Sequence, residues 1–302
     1  MKKILLTILI VIIILLIPLI FKEKNNRFVV GPELNELTYS EVNFTNQYDN
    51  IRLNGMLFLP HNLKSFPIAL IIQGSGFSSR NNPWYLTIAK HLQDNGIGVL
   101  LPDKRGSEKS EGNWIGATLN TLATDTESAI DFIKNESQLN YSEIGIIGMS
   151  QGGWIAPIVG SKRQGLSFII NMSGAMVSTD EQLLFEEYHN IAPYTYDIIA
   201  KLIAPVTTNN LKKKESIAPL MGFDPIPYWR KTEAPVFIAY GENDTNCPVN
   251  QSINRLNKEN LNHFINKVYP NGGHGILDIT TNEVNIDFLN DMTRFILKKK
   301  LK

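Results

Sequence analysis

Hydrophobic and polar positions divide this chain into an unbroken apolar start and a body of short alternating segments. From Ile4 to Phe21 there is no charge, one proline (Pro18) and a single hydroxyl, Thr7. As a helix these 18 residues rise about 27 Å, close to a hydrocarbon thickness of about 30 Å. A core helix would show a polar face, and this run has none. The competing reading is a cleaved signal peptide. Against it, the run exceeds the usual apolar region of about 7–15 residues, and no small-x-small site or lipid-bearing cysteine follows. Residues 1–27 are therefore expected to be an uncleaved membrane anchor and linker, crossing the bilayer through residues 4–21, with secretion after cleavage as the alternative. Lys2 and Lys3 precede the run while Lys22, Lys24 and Arg27 follow it, so the charge rule for orientation is nearly tied. The short basic start resembles a secretory one and puts the body on the extracytoplasmic side.

Beyond residue 27 the pattern changes to strands alternating with helices. Ser40–Phe44 and Ile51–Leu59 read as a hairpin around the turn-rich Thr45–Asn50. Ile68–Gln73 is a continuous apolar run, as in a strand covered on both faces. Further strands are expected at Gly98–Leu101, Ile144–Ile147, Leu166–Ile170, Val236–Ala239 and Phe264–Tyr269. Helical periods occupy Trp84–Gln93, Asp125–Lys134, the stretch from Gly153 to about Val159, and Val284–Leu297. This alternation predicts an α/β domain over residues 28–302, a mostly parallel sheet with helices on both faces. Between about 178 and 231 the rhythm stops. A bare connection of that length is improbable, and Leu183, Leu184, Phe185, Tyr188, Ile198 and Ile199 give it apolar content to pack, so a small helical cap is expected.

Composition narrows the class. The chain has 302 residues, 43% hydrophobic and 19% charged, enough for a sizeable core and unlike a disordered or repetitive polymer. Its 29 basic and 29 acidic side chains balance, but the first 28 residues hold five of the cations and one anion, leaving the body mildly acidic. A nucleic-acid partner of the basic-patch kind is excluded on this account. The single cysteine, Cys247, excludes an intrachain disulfide and a cysteine-based metal cluster. The terminal lysines 298–300 and 302 read as a solvated helix end. Asp103-Lys104-Arg105, after a strand, reads as a structural ion-pair cluster or a substrate contact.

Candidate chemistry sits at strand ends. Gly148-Met149-Ser150-Gln151-Gly152 follows a buried strand and opens a helix, the context that makes G-x-S-x-G a nucleophile turn. Such a turn strains its central residue and exposes the hydroxyl at the carboxyl edge of the sheet. A serine needs a base. Of five histidines, His61 lies in a turn, His91 on a surface helix, His189 in the cap and His263 before the last strand. His274, flanked by glycines in Asn271–Gly275, falls just past that strand at the same edge. An acceptor for its second nitrogen is available at Asp244 within Gly241–Asp244, with Glu242 as runner-up. The order Ser150, Asp244, His274 matches one known arrangement of such residues. Oxyanion donors are expected from the backbone N–H of Gln151 and from Gly74–Gly76, with Ser75 first and Gly76 as the alternative.

The motifs QGSGF (Gln73–Phe77), DKRGSEKS (Asp103–Ser110), GMSQGGWIAP (Gly148–Pro157) and GEND (Gly241–Asp244) resemble those of bacterial serine esterases of the α/β-hydrolase superfamily. In those enzymes the counterparts read HGSGP, DKRGxGKS, GHSxGGxIAP and GxxD. The resemblance spans most of residues 37–300 and implies an eight-stranded sheet, a serine triad, and neither cofactor nor metal. The chain departs from it at Gln73, Phe77, Glu108 and Met149, none of them a triad position. The expected activity is cleavage of a small-molecule carboxylic ester through an acyl-enzyme. Peptidase or thioesterase activity is the nearest alternative, and a non-catalytic binding protein on a hydrolase scaffold the alternative from another class.

Overall fold

The computed structural model describes residues 2–21, 28–61, 63–299 and 301, without the side chains of residues 2, 3, 15, 16 and 18–21. Strands β1 (Ser40–Asn46), β2 (Ile51–Phe58), β3 (Phe66–Ile72), β4 (Gly98–Pro102), β5 (Tyr141–Met149), β6 (Phe168–Met172), β7 (Val236–Gly241) and β8 (Ile265–Tyr269) form one sheet. Its order is β1-β2-β4-β3-β5-β6-β7-β8. The β1–β2 and β2–β4 pairings are antiparallel and the remaining five are parallel, so the sheet is eight-stranded and mostly parallel as expected.

β3 shows why the centre forms. Ile68, Leu70 and Ile72 enter the hydrophobic layer on one face, while Ala69 and Ile71 enter the layer on the other. That is the two-residue period of a strand with both faces covered, hence a continuous apolar run. Helices α2 (Pro83–Asp94) and α9 (Ile286–Ile296) cover one face. The other is covered by α3 (Leu119–Asn135), α4 (Gly152–Lys162) and α8 (Val249–Lys258).

Element ends differ from the sequence reading where capping intervenes. α3 starts at Leu119 rather than Asp125, because the Thr118 side chain accepts the Thr121 N–H and opens the helix earlier. Val284 lies before α9, whose first turn is capped by Asn285 accepting from Phe288 N–H. The sequence reading has no helix at α8, whose narrow inner face is Val249, Ser252 and Leu256 with Ile253 packed beside them.

Chain order reverses around β3, with β4 hydrogen-bonded on one side and β5 on the other. The carboxyl ends of β3 and β5 thus splay at a topological switch point, where α/β sheets bind ligands.

The stretch between β6 and β7 carries α5 (Thr179–Ile191), α6 (Asp197–Leu211) and the short α7 (Ile226–Trp229). Ser178 and Glu181 cap α5 reciprocally. Not all of its apolar content packs inward as expected. α6 buries Ala200, Ala204 and Thr208, while Ile198, Leu202 and Val206 on another face are 69%, 70% and 60% exposed.

The N-terminal helix α1 (Lys2–Phe21) touches this cap, with the Tyr196 hydroxyl donating to the Ile14 carbonyl at 2.7 Å. The expected span 4–21 falls partly on side chains outside the described set. Among the described residues no helix is long and apolar enough to cross a membrane.

Candidate active site

The turn after β5 explains its glycines. Ser150 has a φ of +54°, a left-handed conformation that costs a non-glycine residue energy and persists only under surrounding constraint. The constraint is visible: Ser150 N–H donates to the Met172 carbonyl at 2.8 Å, and its own carbonyl accepts from Gly153 N–H at 2.8 Å. A Cβ on Gly152 would stand 2.1 Å from the Ile72 carbonyl oxygen, and one on Gly148 2.3 Å from that of Gly152. Helix α4 therefore starts directly against β3. Met149 is fully buried in the layer shared with α2 and α9.

Three side chains from three strand ends meet in one hydrogen-bonded line. His274 Nε2 is 2.9 Å from Ser150 Oγ, and His274 Nδ1 is 2.9 and 3.0 Å from the two Asp244 carboxylate oxygens. The Asp244 side chain is wholly buried, and its Oδ1 also accepts the backbone N–H of Asn246 and of Cys247, each at 2.8 Å. Burial by itself would raise the Asp244 carboxyl. The charge and hydrogen bond of His274, with the two backbone donors, outweigh it and hold the carboxyl below its ordinary value. Glu242, the runner-up, is exposed, and the histidine bonds run to Asp244 instead. The other histidines lie elsewhere. His91 is half-buried rather than on the surface, and burial lowers its pKa.

Trp84 holds the histidine turn in place, its Nε1 donating to the Gly275 carbonyl at 3.2 Å and its ring lying edge-on to His274 at 6.0 Å. Gly275 has a φ of +70°, and a Cβ there would fall 1.8 Å from the Trp84 ring. The loop after β3 passes within van der Waals contact of the serine, for a Cβ on Gly74 would sit 3.4 Å from Ser150 Cβ. Gly74 N–H donates to the Tyr85 hydroxyl at 2.8 Å. Ser75 lies exposed at the mouth of the pocket, while Gln151 is buried at the start of α4, where the first N–H groups of a helix have no acceptor inside it. Both predicted donors thus border the serine.

A cavity of about 280 Å³ opens over Ser150 and His274. The loop after β3 contributes Ser75 to its wall, helices α2 and α4 contribute Trp84 and Trp154, and the cap contributes Leu183, Leu220 and Met221. Trp84 and Tyr85 carried no sequence signal, because an aromatic pair opening a helix reads as ordinary core. Asp103 and Arg105 make the expected ion pairs, Asp103 with Arg80 at 2.7 Å and Arg105 with Asp125 at 2.7 Å, whereas among the described residues Lys104 makes none with a carboxylate. Glu108 has a φ of +51°, and its side chain accepts Arg80 N–H at 3.0 Å. Among the described residues no group of His, Cys, Asp and Glu is arranged to hold a metal.

Comparison with known proteins agrees with this fold. The model of the prolyl oligopeptidase family matches residues 83–301. Among solved structures, an esterase of Pyrococcus furiosus, Pf2001, is 17% identical with a TM-score of 0.63, covering 92% of this chain and 99% of that one. Est1E of Butyrivibrio proteoclasticus with ferulic acid bound is 19% identical with a TM-score of 0.61, covering 85% and 98%. An acylaminoacyl peptidase of Pyrococcus horikoshii is 18% identical with a TM-score of 0.61, covering 88% of this chain but 42% of that one. A search of curated proteins finds no match.

Proposed function

Given that the chain belongs to the prolyl oligopeptidase family and is a serine hydrolase of α/β-hydrolase fold, we propose that it cleaves carboxylic esters through Ser150, His274 and Asp244. The observation that carries this reading is the unbroken line from Ser150 Oγ through His274 to Asp244 at the floor of the pocket. His274 Nε2 takes the Ser150 proton as Oγ attacks the carbonyl carbon, and later returns it to the leaving alcohol. Asp244 keeps the Nδ1 proton in place and stabilises the imidazolium. The backbone N–H groups of Ser75 and Gln151 meet the developing oxyanion. A water activated by His274 then resolves the acyl-enzyme.

The esterases are matched over nearly their whole length and the peptidase over less than half of its own, which supports an ester over a peptide as substrate. Family membership favours the second reading, hydrolysis of an amide. Fluorophosphonate labelling of wild type and Ser150→Ala, followed by parallel turnover of p-nitrophenyl esters and aminoacyl p-nitroanilides, decides between them. Label lost in the variant and faster ester turnover are expected. Equal labelling would sink the serine mechanism, and faster anilide turnover would make the chain a peptidase.

We also propose that residues 1–27 attach the protein to a membrane, with the catalytic body extracytoplasmic. In support, every large apolar side chain described in α1 is 40–65% exposed, and α6 beside it presents Ile198, Leu202 and Val206 outward. The full chain should pellet with phosphatidylglycerol–phosphatidylcholine vesicles, and a chain lacking residues 1–27 should stay soluble and active. Equal pelleting of the two would refute the attachment.

A further inference from the structure

Lys104 follows β4 between two residues committed to ion pairs. Asp103 receives Arg80 Nε at 2.8 Å and Nη2 at 2.7 Å, and Arg105 reaches both Asp125 and Asp49 at 2.7 Å. The Lys104 ammonium turns the other way, under the loop after β3. Only 9% of this residue is exposed. It donates to the Gly74 carbonyl, to the Gly76 carbonyl at 3.0 Å, and at 3.5 Å to the side-chain oxygen of Gln151. An ammonium has three donors, and here each has an uncharged acceptor.

Those acceptors belong to the two segments that supply the oxyanion donors. The Gly74 carbonyl and the Ser75 N–H are opposite ends of one planar trans peptide unit, so holding the oxygen sets the direction of the N–H. A cation on that oxygen also polarises the unit and makes the N–H a stronger donor. On the other side, Gly74 N–H is tied to Tyr85. We propose that Lys104 is a positioning residue for the reaction, clamping the Gly74 and Gly76 carbonyls and Gln151 so that the Ser75 and Gln151 N–H groups are preorganised for the oxyanion. This rests on the serine hydrolase reading above, because an oxyanion is what those donors serve.

Burying an ammonium without a carboxylate is costly, and an apolar side chain would fill the space more cheaply. The cost is visible in its pKa, which desolvation pushes down to about 8. Among the described residues no facing group offsets it. Asp103 is held by Arg80, Asp125 by Arg105, Tyr85 presents a neutral hydroxyl, and Asp244 is paired with His274. The clamp is the charged form, so it is complete below pH 8 and lost as pH rises past that value.

The test uses the full chain with p-nitrophenyl acetate and a fluorophosphonate. Lys104→Met should lower kcat by about 10²-fold, the scale of one oxyanion donor, with KM changed by less than about twofold. Lys104→Arg, charged at every accessible pH, should recover at least about tenfold of that loss. Wild-type kcat should fall as pH rises through about 8, and this limb should be missing in both variants. A structural role alone would not move it. Folded Lys104→Met with kcat within about threefold of wild type, or an alkaline limb unchanged in either variant, overturns the proposal. If Lys104→Met fails to fold, the limb in wild type and in Lys104→Arg decides. Wild type that neither labels nor turns over any ester overturns the underlying reading, and this one with it.

Discussion

Replacing Asp244 with asparagine swaps one carboxylate oxygen for an NH2 group at almost constant volume. The surroundings dictate which way the new amide turns. Oδ1 of Asp244 accepts from Asn246 N–H and Cys247 N–H, both at 2.8 Å, while Oδ2 faces His274 Nδ1 at 2.9 Å. An amide nitrogen turned toward the two backbone N–H groups would meet donors only, so its oxygen stays there and its NH2 faces the imidazole. His274 Nδ1 must then accept, which moves the imidazole proton to Nε2. That nitrogen is 2.9 Å from Ser150 Oγ and no longer has a lone pair to take its proton. The same tautomer trap in a serine protease lowers kcat by about 10⁴-fold, and a similar loss, about 5 kcal/mol of barrier, is expected here. The assay is kcat on p-nitrophenyl acetate with the rate of fluorophosphonate labelling, alongside a thermal melt at pH 7. Stability carries its own signature. The Asp244 carboxyl is lowered in the fold, so its contribution is present above the ordinary carboxylate range and lost as pH falls through the lowered value. The variant should lack that part of the acid-side decline. A folded Asp244→Asn enzyme with less than about tenfold loss in kcat would refute the argument, since His274 would then be oriented by another group.

Three further outcomes follow from the site and its supports. Ser75→Ala should keep most activity, whereas Ser75→Pro, which removes the N–H, should lose about 10²–10³-fold in turnover while melting cooperatively; near-normal turnover would move the donor to Gly76. Gly152→Ala puts a methyl 2.1 Å from the Ile72 carbonyl oxygen and should destabilise by about 3 kcal/mol or more, read as a drop in melting temperature, so a wild-type melt would contradict the packing of α4 on β3. Leu220→Trp fills the cap side of the pocket and should shift preference toward shorter acyl chains while leaving labelling of Ser150 within about threefold, and an unchanged chain-length profile would remove the cap from the acyl site.

What the chain carries locally was legible before any folding. β3 and β5 announce themselves as apolar runs because both their faces are covered, and the turn at Ser150 announces itself because its backbone admits no Cβ on Gly148 or Gly152. Ser150, Asp244 and His274 could be chosen because each follows a strand and parallel strands end on one edge. Those readings need only period, glycine placement and chain order. Tertiary structure decided what depends on residues distant in sequence. α8 carries a helical period in Val249, Ile253 and Leu256, but its other positions are polar and only the fold shows that this narrow stripe packs against the core. The placing of β4 beside β2 and β3 opened the switch point, and no period encodes strand order. The backbone donors that hold the Asp244 carboxylate come from the turn that follows it, and the bond from Trp84 to Gly275 that supports the His274 turn spans 191 positions. Lys104 is the clearest case. Its sequence neighbours predicted an ion pair, and they do form theirs, but its own direction was set by three oxygens on loops that only the closed sheet brings within reach. A side chain's periodicity reports which face it shares. Its partners are reported only by the fold, because a buried charge must find them wherever the packing leaves them.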